Sequence, residues 1–313
     1  MSRMILPLSL AATLMGGIAL AEVPSVAVDI APVHSLVARV MEGVGTPDLI
    51  VQPGASPHEY NLRPSDASAL QEAALVFWVS ASLTPWLPDT LATLASDATI
   101  VELPETEGTI RLQVREGALF EGHAEDGHGD ESGHNENEDD HTDIEYDPHV
   151  WLAPENAKVW IDAIVTKLSA ADPQNATLYQ SNAEEARAEL ETLSDDVNAI
   201  LDPVRGESFV VFHDAYQHFE VSFDFPASGA ISVSDASDPS PARIVEIRAR
   251  VSEEGIGCVL AEPQFNSGLI ATVLDGTEAR TGILDPLGAE LAPGPTLYTQ
   301  LMRNMASALA ECL

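Results

Sequence analysis

Between Asp172 and Pro203 the chain reads DPQNATLYQSNAEEARAELETLSDDVNAILDP, and the spacing of its apolar residues decides the architecture. Tyr179, Ala183, Ala186, Leu190, Leu193, Val197 and Ile200 recur four and three residues apart, which draws one apolar stripe along a helix. Asp172 is placed to cap that helix, Pro173 suits its first turn and Pro203 ends it. At 1.5 Å per residue, roughly thirty residues make a rod of about 40 Å. A rod so long and uninterrupted predicts a rigid spine between two halves of the chain. As a coiled-coil strand it is too short to be preferred.

On both sides of the spine, short apolar runs alternate with helical patterns. In the first half, Val26–Ile30, Leu49–Val51, Leu75–Val79 and Thr99–Leu103 read as strands. Helices are expected from Pro32 to Glu42, from Pro64-Ser65-Asp66 onward, and from Trp86 to Ala95. In the second half, Phe209–Phe212, Cys258–Ala261 and Thr281–Leu284 read as strands. There the helices are expected from His213-Asp214-Ala215-Tyr216, Pro239 to Glu254, Ser267 to Leu274 and Thr296 to Glu311. Such alternation favours parallel, helix-flanked sheets. The predicted fold is therefore α/β, with two lobes each built on a parallel sheet and joined by one long rigid α-helix. The expected divisions are a lobe over 22–171, the connector over 172–203 and a second lobe over 204–313.

Residues 1–21 read as an export signal. Arg3 gives a positive start, Ile5–Leu20 is apolar but shorter than a membrane span, and Ala19-Leu20-Ala21 has the small-x-small form of a cleavage site. No Cys lies near that site to carry a lipid, and no later segment is long and apolar enough to cross a bilayer, so no direct membrane anchor is expected. The two cysteines, Cys258 and Cys312, then face an oxidising compartment. One disulfide is the natural reading, worth roughly 4 kcal/mol in the chain-entropy model; a cysteine metal site would need more ligands nearby. With 14 Lys and Arg against 50 Asp and Glu, the formal net charge is −36. That excludes nucleic acid and anionic lipid as natural partners and suits an environment of cations.

Histidines concentrate the remaining signal. From Glu121 to about residue 145 the chain holds His123, His128, His134 and His141 among acidic residues, with no Lys or Arg. Such a polar run cannot bury enough surface to order itself, so a mobile acidic loop is expected. Read chemically, imidazoles spaced through carboxylates are a weak, pH-dependent ligand set for divalent metals; read plainly, the run is a solvated insertion. His58, His149, His213 and Asp285 share a different placement, each just after a short apolar run or at the edge of ordered sequence. In parallel α/β sheets ligands bind beyond the carboxyl ends of strands. Two of these four residues lie in each half, so a cleft between the lobes would gather three imidazoles and one carboxylate, a donor set suited to Zn²⁺. His34 and His218 read as structural or exposed, and Trp151 as packing beside His149. Asn175-Ala176-Thr177 has the form of a glycosylation acceptor but falls on the connector helix.

Several runs together carry a resemblance. Gly54-Ala55-Ser56-Pro57-His58-Glu59-Tyr60, Arg63-Pro64-Ser65-Asp66, His149-Val150-Trp151-Leu152, Phe212-His213-Asp214-Ala215-Tyr216, Ala261-Glu262-Pro263-Gln264 and Leu284-Asp285-Pro286-Leu287-Gly288 resemble, in order, the metal-binding solute receptors of ABC importers. The likeness is strongest to periplasmic zinc receptors. The resemblance implies two α/β lobes joined by a long helix, with metal between them, an acidic His-rich loop and a C-terminal disulfide. It implies His58, His149 and His213 as ligands, and His213, where manganese and iron relatives carry a carboxylate, points to zinc. The fourth ligand stays open. The place before His58, where some zinc receptors carry a Glu ligand, is Pro57, which offers no donor; the resemblance implies Asp285, which matches the carboxylate used elsewhere in the family, with Glu59 or a water as the alternatives. The implied role is a monomeric, non-enzymatic periplasmic receptor that hands Zn²⁺ to a membrane permease with its cytoplasmic ATPase. The competing readings are a zinc-dependent hydrolase with Glu59 as base, a manganese or iron receptor of the same family, and a passive metal buffer. The sequence carries no Walker loop, dinucleotide fingerprint or serine nucleophile elbow.

Overall fold

The computed structural model describes residues 23–115, 146–232, 239–264 and 267–313. The first lobe contains β1 (Val26–Val28), α1 (Ala31–Val40), β2 (Asp48–Leu49), α2 (Pro64–Glu72), β3 (Leu75–Trp78), α3 (Leu87–Leu94) and β4 (Thr99–Glu102). Two long helices follow, α4 (Pro154–Ala171) and α5 (Ala176–Leu201). The second lobe contains β5 (Phe209–His213), α6 (Gln217–Phe223), β6 (Gly229–Ser232), α7 (Pro241–Glu253), β7 (Cys258–Ala261), α8 (Ser267–Leu274), β8 (Arg280–Ile283) and the closing α9 (Leu297–Cys312). The sheets run β2-β1-β3-β4 and β6-β5-β7-β8, and every pairing is parallel.

The central strands are apolar apart from His213 at the end of β5, because both faces of each sheet are covered. Alternate residues go to different cores. Val26, Val28 and Phe77 of the first sheet, and Phe209, Val211, Cys258 and Leu260 of the second, point into one continuous core with α1, α4, α5 and α9. Ala27, Val76 and Trp78 point the other way, onto α2 and α3. Val210, Phe212 and Val259 likewise face α7 and α8. The two lobes therefore share a helical middle layer, and they are not separate bodies on a flexible strap.

Within that layer α5 has the predicted stripe, with Tyr179, Ala183, Ala186, Leu190, Leu193 and Val197 buried. Its ends differ from expectation. The helix starts at Ala176, and the Asp172 carboxylate accepts from Asn175 Nδ2 (2.6 Å) and the Tyr179 hydroxyl (3.0 Å) as well as from backbone amides of the turn before it. Leu201, not Ile200, completes the buried face before Pro203 enters a short 3-10 turn. Asn182, on the same face, donates to the carbonyls of Val40 (2.9 Å) and Glu42 (2.8 Å), which satisfies the open end of α1. Two elements absent from the sequence reading are α4, which packs along α5, and the edge strand β6.

Cys258, which opens β7, is joined to Cys312, which ends α9, with Cα atoms 5.8 Å apart. Among the described residues no helix is long and apolar enough to cross a membrane.

Candidate metal centre

In a sheet of order β6-β5-β7-β8 the chain leaves β5 toward one side and reaches β7 on the other, so a crevice opens beyond their carboxyl ends. His213 is the last residue of β5 and Glu262 follows the last residue of β7. Both are buried, and His213 Nδ1 lies 2.6 Å from Glu262 Oε1. The carboxylate holds the ring in one orientation and leaves Nε2 toward the crevice.

His149 is held in the same way from the other lobe. Asp147 Oδ1 accepts from the His149 backbone N–H (3.0 Å) and lies 2.7 Å from its Nδ1. The turn after His149 buries Val150, Trp151 and Leu152, and Trp151 Nε1 donates to the Pro286 carbonyl (2.9 Å). That bond brings the loop following β8 against the histidine. His58 arrives on the loop after β2, where Gly54 turns with a φ of 82°. Trp86 Nε1 pins the Pro57 carbonyl at 2.8 Å, and the His58 amide donates to Ser56 Oγ at 3.2 Å.

The three rings converge. His149 and His213 have centroids 5.3 Å apart, and His58 and His149 6.0 Å apart. His149 Nε2 and His213 Nε2 are 3.4 Å apart. Two nitrogens on one tetrahedral zinc ion, each about 2.0–2.1 Å from it, stand about 3.4 Å from each other. The cavity between the rings, about 10 Å³, has room for about one ion or water. Ser56, Pro57, Trp151, Glu262, Gln264, Pro286 and Leu287 complete its wall. Among the described residues no three His, Cys, Asp or Glu side chains form a ready-made metal group. Burial pushes the Asp147 and Glu262 carboxyls up, opposed by His218 and Arg115 at Asp147 and by His213 at Glu262. A cation between the imidazoles would favour the ionised carboxylates behind them.

The chain matches the model of the family described as zinc-uptake complex component A, periplasmic, over residues 26–312. The chain belongs to the ZnuA family. Curated relatives include the high-affinity zinc uptake system protein ZnuA of Brucella abortus, 42% identical over 307 residues, with 92% of this chain and 91% of that protein covered. The protein of the same name from Paracoccus denitrificans is 39% identical over 302 residues, covering 94% and 93%. A crystal structure of ZnuA superimposes with a TM-score of 0.75 at 21% identity, covering 93% of this chain and 99% of that one, and supports the two-lobed fold.

In this ZnuA-family chain the other residues singled out from sequence are placed as follows. Asp285 is half-buried after β8, and its carboxylate accepts from the amides of Leu287 (3.0 Å), Gly288 (2.9 Å) and Ala289 (2.6 Å). It closes its own turn, and its neighbours Pro286 and Leu287, not Asp285, line the cavity. Glu59 is exposed and does not line the cavity. His34 is buried with Nε2 3.0 Å from the Pro47 carbonyl, a structural role. His218 is buried behind His149, where burial lowers its pKa and Asp147 opposes the shift. His123, His128, His134 and His141 lie outside the described residues.

Sequence reasoning assigned no role to Asp147, Glu262, Gln264 or Arg115. Asp147 and Glu262 were legible in principle: one stands two residues before a histidine, the other directly after an apolar strand. Arg115 had no local signal. It makes a bidentate pair with Asp214, the neighbour of His213, and reaches Glu220 at 2.8 and 3.0 Å. It thereby ties the root of the acidic segment to the second lobe, while Gln113 and Tyr146 form an antiparallel bridge across that root.

Proposed function

We propose that this chain is the periplasmic receptor of a zinc importer. It captures one Zn²⁺ between the lobes on His58, His149 and His213 and passes it to an ABC-type permease, whose cytoplasmic ATPase supplies the energy. The observation that carries this reading is the pair of Nε2 atoms 3.4 Å apart, each ring backed by its own carboxylate. Imidazole with a carboxylate on the far nitrogen is a more basic, fixed donor, as zinc sites favour. Family membership supports the same cargo: the named relatives are zinc uptake proteins.

Export would remove residues 1–21, and the working unit would be two lobes over 22–171 and 204–313 around the connector. His123, His128, His134 and His141 would serve as weaker auxiliary donors, since binding there must also order the chain. A hydrolase would need a base facing the ion; Glu59 is exposed and Glu262 is engaged with His213.

The test is calorimetric titration of the metal-free mature chain with Zn²⁺ and Mn²⁺, beside a variant with all three histidines replaced by alanine. One tight zinc site should be present in the parent and absent from the variant. Deleting 122–141 should lower the total zinc bound and keep the tight site. Equal tight binding by parent and triple variant would refute the assignment.

A further inference from the structure

In the zinc site proposed above, the ion would join the two lobes through His149 and His213. Arg115 joins them a second time, a few residues away on each side. In the first lobe Arg115 lies two residues beyond Gln113, which bridges to Tyr146, and the neighbouring Asp147 amide donates to the Leu112 carbonyl (2.9 Å). The segment that carries Arg115 is therefore bonded to the one that leads into His149. In the second lobe Asp214 directly follows His213, and Glu220 sits on α6, where its carboxylate also accepts from the Ala227 amide (3.2 Å).

All three nitrogens of the guanidinium are engaged. Nε and Nη2 donate to Asp214, Nη1 donates to Glu220 Oε2 (2.8 Å), and Nη2 also donates to Glu220 Oε1 (3.0 Å). The side chains of Arg115, Asp214 and Glu220 are 19%, 10% and 5% exposed, so salt screens the cluster little. A buried ion cluster adds little net stability over apolar packing, because desolvation offsets the attraction. What it does add is register: a planar fork fixes both the distance and the orientation of the groups it grips. Two cross-links over one seam then reinforce each other, since each holds the groups of the other within reach while it is closed.

We propose that the Arg115 fork is a clamp on metal release: while it is closed, a zinc ion that lets go of one imidazole is recaptured before it escapes. Arg115 is thus a positioning residue that acts through the turn beginning at Asp214. The inference rests on the zinc site proposed above. Its charge alone would act in the opposite sense. A cation near the site repels Zn²⁺, so deleting that charge would by itself slow release, whereas loss of the clamp speeds it.

The test follows the rate at which the full mature chain loses Zn²⁺ to an excess of chelator, with the metal-free melting temperature measured beside it. The deciding variant combines Arg115→Met with Glu220→Gln, which removes the fork along with one positive and one negative charge, so the local net charge is unchanged. It should release zinc about tenfold faster than the parent, within the roughly 5- to 150-fold span of ordinary coupling between sites. Association should hold, so the affinity should fall by the same factor. By reciprocity, the zinc-loaded chain should lose stability by that factor beyond any loss in the metal-free chain. Arg115→Lys keeps the charge but cannot grip both carboxylates as a planar fork, so its release rate should fall between the two. It also gives the answer if the double variant does not fold. A release rate no faster than the parent's in the double variant, or in Arg115→Lys where the double variant does not fold, would overturn the inference, even with a lowered metal-free melting temperature. Histidine-dependent binding would then stand and only the clamp would fall. If zinc binding by the parent did not depend on His58, His149 and His213, the zinc-receptor reading itself would fail.

Discussion

Asp29 and His213 stand at corresponding points of two sheets with the same strand order, and they do opposite things. Asp29 follows β1 and reaches across the crevice to the neighbouring strand, accepting from the Val79 amide (2.7 Å) and from Ile30 (2.8 Å). His213 ends β5 and reaches across its crevice to Glu262, beyond β7. In the first lobe both oxygens of a buried carboxylate are taken up by backbone amides. In the second a ring with two nitrogens spends one on the scaffold and keeps the other for the cavity. The topology offers a binding site twice; side-chain chemistry decides where it stays open.

The largest expected effect comes from removing the open side of this pair. Zinc at 1,000 times its dissociation constant should stabilise the parent by about 4 kcal/mol through linkage. In His213→Ala that increment should vanish, with the metal-free melting temperature little changed. Denaturant unfolding with and without zinc measures both. Asp29→Ala should do the reverse. Two buried amides lose their acceptor, costing about 3 kcal/mol of metal-free stability, while zinc affinity holds. A loss of zinc binding in Asp29→Ala would break the contrast.

A smaller effect is expected behind the rings. Glu262→Gln and Asp147→Asn should each weaken zinc about 10- to 100-fold in a chelator competition without unfolding the chain. Unaltered affinity in both would mean that the carboxylates only fill space.

The last expected effect is in the pH dependence of stability. Burial pushes the Asp29 carboxyl up to about 7, against amide hydrogen bonds that favour its charged form. The folded chain then holds that proton more tightly than the unfolded chain does. Its contribution to stability is complete below about pH 4 and is lost as pH rises through about 7. Asp29→Asn should flatten that part of the metal-free stability curve. A curve falling equally in both proteins would assign the slope to other groups.

The spine, the lobes and their parallel sheets were legible because each rests on a long or repeated periodicity. The edge strand β6 was not. Its residues, Gly-Ala-Ile-Ser, offer one β-branched residue and no alternation, and they are a strand only because β5 lies beside them. Helix α4 had a readable stripe in Ala157, Trp160, Ile161, Ile164 and Leu168 that the reading passed over. His58 and His213 drew attention by standing beyond apolar runs and His149 by standing at the edge of ordered sequence, but such placement cannot rank acids. Glu262 and Asp285 both follow strands. Which one faces the cavity depends on the path of the next three residues, and Asp285 turns back onto its own amides through Gly288 at a φ of 74°. The pairing of Arg115 with Asp214 and Glu220 spans about a hundred positions, and no local pattern announces it.

Strand β7 carries a covalent staple at one end and, just past the other, the carboxylate that steers His213. Four extended residues reach about 13 Å with no flexible joint between. Slack introduced at Cys258 should therefore travel to Glu262, and a chain whose sulfurs are reduced should grip zinc less firmly than the oxidised one. Holding strength would then depend on where the chain has been: weak before it meets an oxidising compartment, full afterwards. Zinc affinity measured with and without reductant would reveal whether the staple also acts as a timer.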